Sequence, residues 1–192
     1  MAAPQNTIAL VYDYDQTLSP RYMQDDVVFP EFGIDPAQFW AKCNTLVHDH
    51  KWDGELAYMK CLLDYLGMDN VTNARLTQLG AGLRFFPGLP ELFDALPKAA
   101  LRPEHEVAGI KLEHYIISSG LKALLDGSRL QPFVKAMFGC EFGEDAEGRI
   151  SLTVPLAARW LLRGVELRPS ESRADAWDSR FITLAFEVLP KR

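Results

Sequence analysis

The sequence predicts an α/β fold: a Rossmann-like, mostly parallel sheet with an inserted helical cap. Three observations predict it. Residues 8–12, Ile-Ala-Leu-Val-Tyr, form a short unbroken apolar run ending in Asp13-Tyr14-Asp15; such a run lacks helical spacing and suits a strand covered on both faces. Residues 114–118 form a second run of this kind, ending in Ser118-Ser119-Gly120. Between the two, the pattern is helical over a stretch much longer than a plain crossover requires.

The elements follow in chain order. Asp35 is placed to cap a helix whose first residue is Pro36, a position where proline loses no hydrogen bond. Phe39, Trp40, Cys43, Leu46 and Val47 then share one face. A second helix reads over 54–66 with Leu56, Met59, Leu62, Leu63 and Leu66 inward and Gly67 as its stop. A shorter one opens near Thr72 and carries Leu76 and Leu79. Phe86-Pro87-Gly88 breaks the chain, and Pro90 opens a helix with Leu92, Phe93 and Leu96. After the second strand comes a helix carrying Leu121, Leu124 and Leu125. Residues 138–142 read as a third strand, and Glu144-Asp145-Ala146-Glu147-Gly148 as a hairpin turn. The organisation is therefore an α/β core (1–19 and 87–150), a helical cap (20–86), and an atypical tail (151–192) that is a candidate to complete the core.

Composition bounds the function. The chain has 192 residues, 48% apolar and 24% charged, as a folded domain has and a disordered chain does not. Lys+Arg 20 against Asp+Glu 26 gives a net charge of -6, which leaves no electrostatic footprint for nucleic acid or an anionic membrane. Three scattered cysteines without a CxxC pair argue against a disulfide framework or a cysteine zinc site. No apolar run approaches a membrane span. The first basic residue is Arg21, so a signal peptide's basic leader is missing. These features predict a soluble, cytoplasmic protein with neither nucleic-acid nor membrane partners; oligomeric state is left open.

Ligands bind open α/β sheets at the carboxyl ends of strands, where this sequence puts Asp13 and Asp15, then Ser118 and Ser119. Two carboxylates two residues apart repel unless a cation sits between them or one is protonated. One can then serve as nucleophile or metal ligand while the other trades a proton. A hydroxyl and free N–H groups at the next strand end form an anion cradle. Together these parts describe phosphoryl transfer through an aspartyl-phosphate.

Residues 8–18, Ile-Ala-Leu-Val-Tyr-Asp-Tyr-Asp-Gln-Thr-Leu, resemble the first motif of the haloacid dehalogenase-like (HAD) hydrolase superfamily, mostly phosphatases. Tyr115-Ile116-Ile117-Ser118-Ser119-Gly120 is similar to its second motif, and the span between resembles an inserted helical cap of the first type. The likeness covers about residues 6–150. It implies a HAD-like fold and a Mg²⁺-dependent phosphatase for a small phosphorylated metabolite. By the same resemblance Asp13 is the nucleophile and a Mg²⁺ ligand, and Asp15 is the general acid/base, binding the metal through its backbone carbonyl. Thr17 braces the loop and Ser118 holds a phosphoryl oxygen, with Ser119 and Gly120 lending backbone. Gln16 departs from the commonest residue there, glycine.

The family pattern also asks for a later lysine and a strand ending in acids. The tail offers Lys191, and Asp175 and Asp178 follow a segment (168–173) with no strand pattern. Residues 181–189 alternate Ile182, Leu184, Phe186 and Val188, a pattern able to flank the first strand, which otherwise lies at the sheet edge. Six arginines and one lysine against five acids give the tail a positive balance opposite to the body's. Weak Mg²⁺ binding and slow turnover are therefore expected. The alternative is an impaired HAD-fold remnant acting as a binding or interaction protein, or a chain altered after about residue 150. A nucleotide-binding module lacks its glycine-rich loop here.

Blander readings absorb the other candidates. His48-Asp49-His50 near Cys43 has zinc-like composition but fits a solvated helix end. Asp25-Asp26 suits cap polarity, Trp40 and Phe39 suit cap core, and Cys140 reads as a buried strand residue.

Overall fold

A computed structural model describes residues 6–154, 167–169 and 186–188. The first apolar run forms β1 (Thr7–Tyr12) and the second β2 (Lys111–Leu121), parallel to it, with Thr7 beside Lys111 and Tyr12 beside Ile116. β3 (Ala136–Glu144) is parallel to β2, and β4 (Ile150–Val154) returns antiparallel on β3, giving the order β1-β2-β3-β4. Asp145 closes that hairpin: its Oδ1 accepts the N–H groups of Glu147 at 3.0 Å and Arg149 at 2.9 Å, while Gly148 takes φ 79°. The result is a mixed α/β, Rossmann-like sheet, mostly parallel, with helices in the long β1–β2 connection.

β1 is an edge strand of this sheet among the described residues. Ile8 is 48% exposed, so the opening of β1 is not covered on both faces as its apolar run suggested. β5 (Leu167–Pro169) and β6 (Phe186–Val188) pair antiparallel with one another in a separate two-stranded sheet. Among the described residues β6 forms its ladder with β5 and none with β1. Lys191, Asp175, Asp178 and the other residues of the 181–189 pattern lie outside the described residues.

The insertion starts with a π-helical turn (Gln24–Val28) that runs into α1 (Phe29–Phe32), ended by Gly33 at φ 62°. Asp35 caps α2 (Pro36–His48) by accepting the Gln38 N–H at 2.8 Å. Asp53 caps α3 (Gly54–Met68) through the Glu55 and Leu56 N–H groups, and Thr72 caps α4 (Asn73–Gly80) through that of Arg75. α5 (Glu91–Ala100) and α6 (Pro103–Val107) precede β2, and α7 (Lys122–Asp126) follows it.

Several expectations shift. α3 runs through Gly67, and the left-handed residue comes later, at Asn70 (φ 51°). Leu56, in the first turn of α3, is exposed rather than inward. α6 buries no residue, so it had no apolar period to betray it. β2 continues through Ser118, Ser119 and Gly120 to Leu121, so the helix after it starts only at Lys122. No helix among the described residues is long and apolar enough to cross a membrane.

One core spans both parts. Phe39, Met59, Leu62, Leu66 and Leu76 from the insertion join Ile116, Leu121, Leu124 and Leu125 from the α/β part, all 1% exposed or less. α4 meets α7 backbone to backbone: a Cβ added to Gly127 would lie 1.7 Å from the Thr77 carbonyl oxygen, and one added to Gly80 would lie 2.1 Å from that of Leu124. On β2, beside Leu10 of β1, buried His114 is fully used. Its Nε2 lies 3.1 Å from the Phe93 carbonyl, which can only accept, so Nε2 carries the proton and Nδ1 accepts the Tyr12 hydroxyl at 2.9 Å. Burial holds its pKa below the usual imidazole value, consistent with that neutral form.

Candidate active site

β1 gives way to a tight turn in which the Tyr14 carbonyl accepts the N–H groups of Thr17, Leu18 and Ser19 at 2.9 to 3.2 Å. Tyr14 points into the core, fully buried, so its neighbours Asp13 and Asp15 face outward at the carboxyl end of the strand. Gln16 holds φ 60°. This left-handed conformation costs a side-chain-bearing residue roughly 1 kcal/mol more than glycine.

The two carboxylates are held differently. Exposed Asp13 receives at Oδ2 the Thr17 hydroxyl at 3.0 Å. Half-buried Asp15 receives at Oδ1 the backbone N–H of Met23 at 2.8 Å. Burial pushes the Asp15 carboxyl up to about 7; the Met23 N–H opposes the rise, and the charges of Asp13, Asp25 and Asp26 add to it. A carboxyl near neutrality can both give and take a proton at physiological pH.

A cavity of about 630 Å³ opens over this turn. The α/β part contributes Asp13, Asp15, Gln16, Ser119 and Gly120 to its wall. The insertion contributes Tyr22, Gln24, Trp40, Asn44, Glu55 and Tyr58. Among the described residues the lining holds three carboxylates and neither lysine nor arginine.

The structure thus brings Asp13, Asp15, Ser119 and Gly120 to one cavity, with Thr17 behind Asp13. Ser118 stands elsewhere: it is 2% exposed, is not among the lining residues, and its Oγ accepts the Gly120 N–H at 3.0 Å. The anion cradle expected at a helix start is instead the end of a strand, where the β2–β3 register shifts between Ile117 and Leu121. Asp26 is bound by the Arg84 backbone N–H and guanidinium; neither Asp25 nor Asp26 lines the cavity. Cys43 is buried, whereas His48 and His50 are exposed.

Two participants escaped the sequence. Met23 fixes Asp15 through its backbone, and its Sδ accepts the Leu121 N–H at 3.0 Å, tying the insertion to β2. Glu55 reads as an ordinary acid in a helix's first turn, yet it lines the cavity, and its Oε1 accepts the Cys140 thiol at 2.8 Å. Only knowledge of which helix end faces the turn could have singled them out.

Asp13 and Asp15 are hard oxygen donors, and Mg²⁺ asks for one or two carboxylates while keeping several waters, so the donor chemistry fits that ion. Among the described residues no group of three or more His, Cys, Asp or Glu side chains is placed to hold a metal.

Comparison with known proteins agrees with this architecture. The chain is similar to a phosphoserine phosphatase solved as a phospho-aspartyl intermediate analogue: 12% identical, TM-score 0.53, covering 85% of this chain and 75% of that one. It is also similar to a HAD-family hydrolase from Salmonella enterica serovar Typhi: 18% identical, TM-score 0.51, covering 80% of this chain and 46% of that one. No family model matches. By sequence it is 35% identical over 147 residues to an uncharacterised protein of Borreliella burgdorferi, covering 72% of this chain and 50% of that protein. The chain therefore spans about half the length of the curated relative it matches. The fold is HAD-like.

Proposed function

We propose that the chain belongs to a Mg²⁺-dependent, HAD-type phosphatase acting in the cytoplasm on a small phosphorylated metabolite through an aspartyl-phosphate. The supporting observation is the division of labour at the end of β1. Asp13 is exposed and steered by Thr17, as a nucleophile should be, and Asp15 is half-buried with its carboxyl near 7, as an acid/base should be. Asp13 attacks phosphorus while Asp15 gives its proton to the departing alkoxide; Asp15 then takes a proton from the water that cleaves the acyl phosphate. Ser119 lines the cavity at the strand end, where the phosphoryl oxygens would lie, while the Gly120 N–H is already given to the Ser118 hydroxyl oxygen. The Asp13 carboxylate and the Asp15 carbonyl would hold Mg²⁺, which would supply charge neutralisation there.

That neutralisation is the weak point. A phosphomonoester dianion enters a wall of three carboxylates with no lysine or arginine among the described lining residues. Losing one well-placed electrostatic partner costs about 10²–10³-fold in rate, so slow turnover is expected of this chain. The test is phosphate release from a panel of phosphomonoesters with Mg²⁺ and with EDTA, read against Asp13→Asn. Slow, Mg²⁺-dependent release that Asp13→Asn abolishes supports the proposal; release unaffected by Asp13→Asn refutes the aspartyl-phosphate route.

A further inference from the structure

The insertion side of the cavity has a chemistry that the phosphoryl site does not explain. Three aromatic rings stand there in sequence: Tyr22 and Trp40 with centroids 5.8 Å apart, then Trp40 and Tyr58 stacked at 6.1 Å with planes 22° apart. The Trp40 ring packs edge-on against buried Phe39, with centroids 5.0 Å apart and planes 88° apart. Glu55 adds a carboxylate, anchored by the Cys140 thiol. Two polar atoms on this wall are buried without a hydrogen-bond partner: Gln24 Oε1, on a residue 3% exposed, and the Tyr58 hydroxyl, on one 9% exposed. A buried acceptor left unpaired is costly, so an N–H donor from a ligand would remove a standing penalty.

We propose that this wall is the leaving-group subsite and takes an organic ammonium. The substrate class is then a phosphomonoester of an amino alcohol that carries no carboxylate. The inference rests on the phosphatase reading above for the phosphoryl end alone. Ring faces attract a cation within about 6 Å, most strongly where water is excluded. Glu55 supplies the counter-charge, and Gln24 Oε1 is an acceptor that an ammonium N–H can satisfy. A second anionic group on the substrate would meet Asp13, Asp15 and Glu55, with no lysine or arginine among the described lining residues to receive it. A cationic tail instead offsets part of the phosphate's repulsion, which suits a cavity built this way.

The test is calorimetric titration of the full chain in EDTA with phosphoethanolamine and with n-propyl phosphate, near-isosteres that differ in a terminal ammonium against a methyl. Phosphoethanolamine should bind about tenfold tighter. Glu55→Gln, which keeps an acceptor for the Cys140 thiol, should bring the ratio to about twofold, and Tyr58→Phe should weaken phosphoethanolamine alone by a few-fold. Equal affinities, a ratio unchanged in Glu55→Gln, or no saturable binding of phosphoethanolamine overturns the inference. Turnover is read separately. Phosphate release without preference for amino-alcohol esters overturns the subsite and leaves the phosphatase standing; selective binding without release does the reverse.

Discussion

The same substitution, glycine to alanine, should have opposite effects at a helix C-cap and inside a helix. At Gly127 the added Cβ would sit 1.7 Å from the Thr77 carbonyl oxygen and 2.7 Å from its carbon. Both atoms are backbone, so no side chain can swing aside, and restoring ordinary contact requires α4 and α7 to part by roughly 1.5 Å. Leu76, Leu124 and Leu125, all fully buried, share that seam, and a gap of that size forfeits a large part of their contact energy. Overpacking of this kind costs about 1–3 kcal/mol, occasionally more, and a rigid contact belongs at the upper end. With about 2–4 °C per kcal/mol for a chain of this size, Gly127→Ala should lower Tm by roughly 6–12 °C. Gly67 lies inside α3 with nothing within 4 Å of its added Cβ and no positive φ, so Gly67→Ala should raise stability by about 0.5–1 kcal/mol. Urea denaturation followed by circular dichroism, with m compared across variants, measures both. A Gly127→Ala protein within 0.5 kcal/mol of wild type (a threshold of about the scatter expected for surface changes) would refute the backbone seam.

Other outcomes follow from the turn after β1. Asp13→Asn should leave no acid-stable, hydroxylamine-sensitive acyl phosphate in quenched reactions, because an amide cannot be phosphorylated this way. Thr17→Val should lower kcat by about tenfold or less while leaving Tm nearly unchanged, since it frees the Asp13 carboxylate without emptying the core. Asp15 binds its proton more tightly folded than unfolded, so the stability it permits is complete below about pH 4 and is lost as pH rises through about 7. In EDTA, Asp15→Asn, which can still accept the Met23 N–H, should therefore match wild type near pH 4 and exceed it at pH 8 by about 2 kcal/mol, after discounting for partial exposure; a pH-independent difference would count against the raised pKa. Gln16→Gly should stabilise by a few tenths to about 1 kcal/mol through relief of the left-handed side chain, read in the same urea assay.

The sequence carries the fold where elements announce themselves through side chains. Two apolar runs ending in polar residues mark β1 and β2, and Asp35, Thr72 and the Asp145 turn mark their caps and hairpin because each uses its own side chain to satisfy local N–H groups. Asp13, Asp15 and Thr17 are legible for the same reason: their spacing carries the chemistry. What stays hidden is whatever depends on backbone or on a distant neighbour. Met23 serves Asp15 through an N–H that any residue but proline would have. Gly80 and Gly127 look like helix-end glycines, not like two halves of one contact. Trp40 reads as core because a residue walling a cavity and a residue filling a core share the same helical period. Ser118 reads as a cleft hydroxyl, yet β2 runs on past it and turns it inward.

The glycine seam also bears on modularity. An inserted segment of helices looks exchangeable, as though another could be grafted between β1 and β2 to change specificity. Here the graft would have to bring its own glycine opposite Gly127, and a carbonyl at the height of Thr77, or stand off from α7 altogether. A donor helix with any side chain at the position of Gly80 would strike the Leu124 carbonyl before its other residues touched the core. Transplantation is therefore best confined to α2 and α3, cut within 33–35 and 69–71, with α4 kept native as the shared splice. That boundary lies inside the insertion and not at its ends.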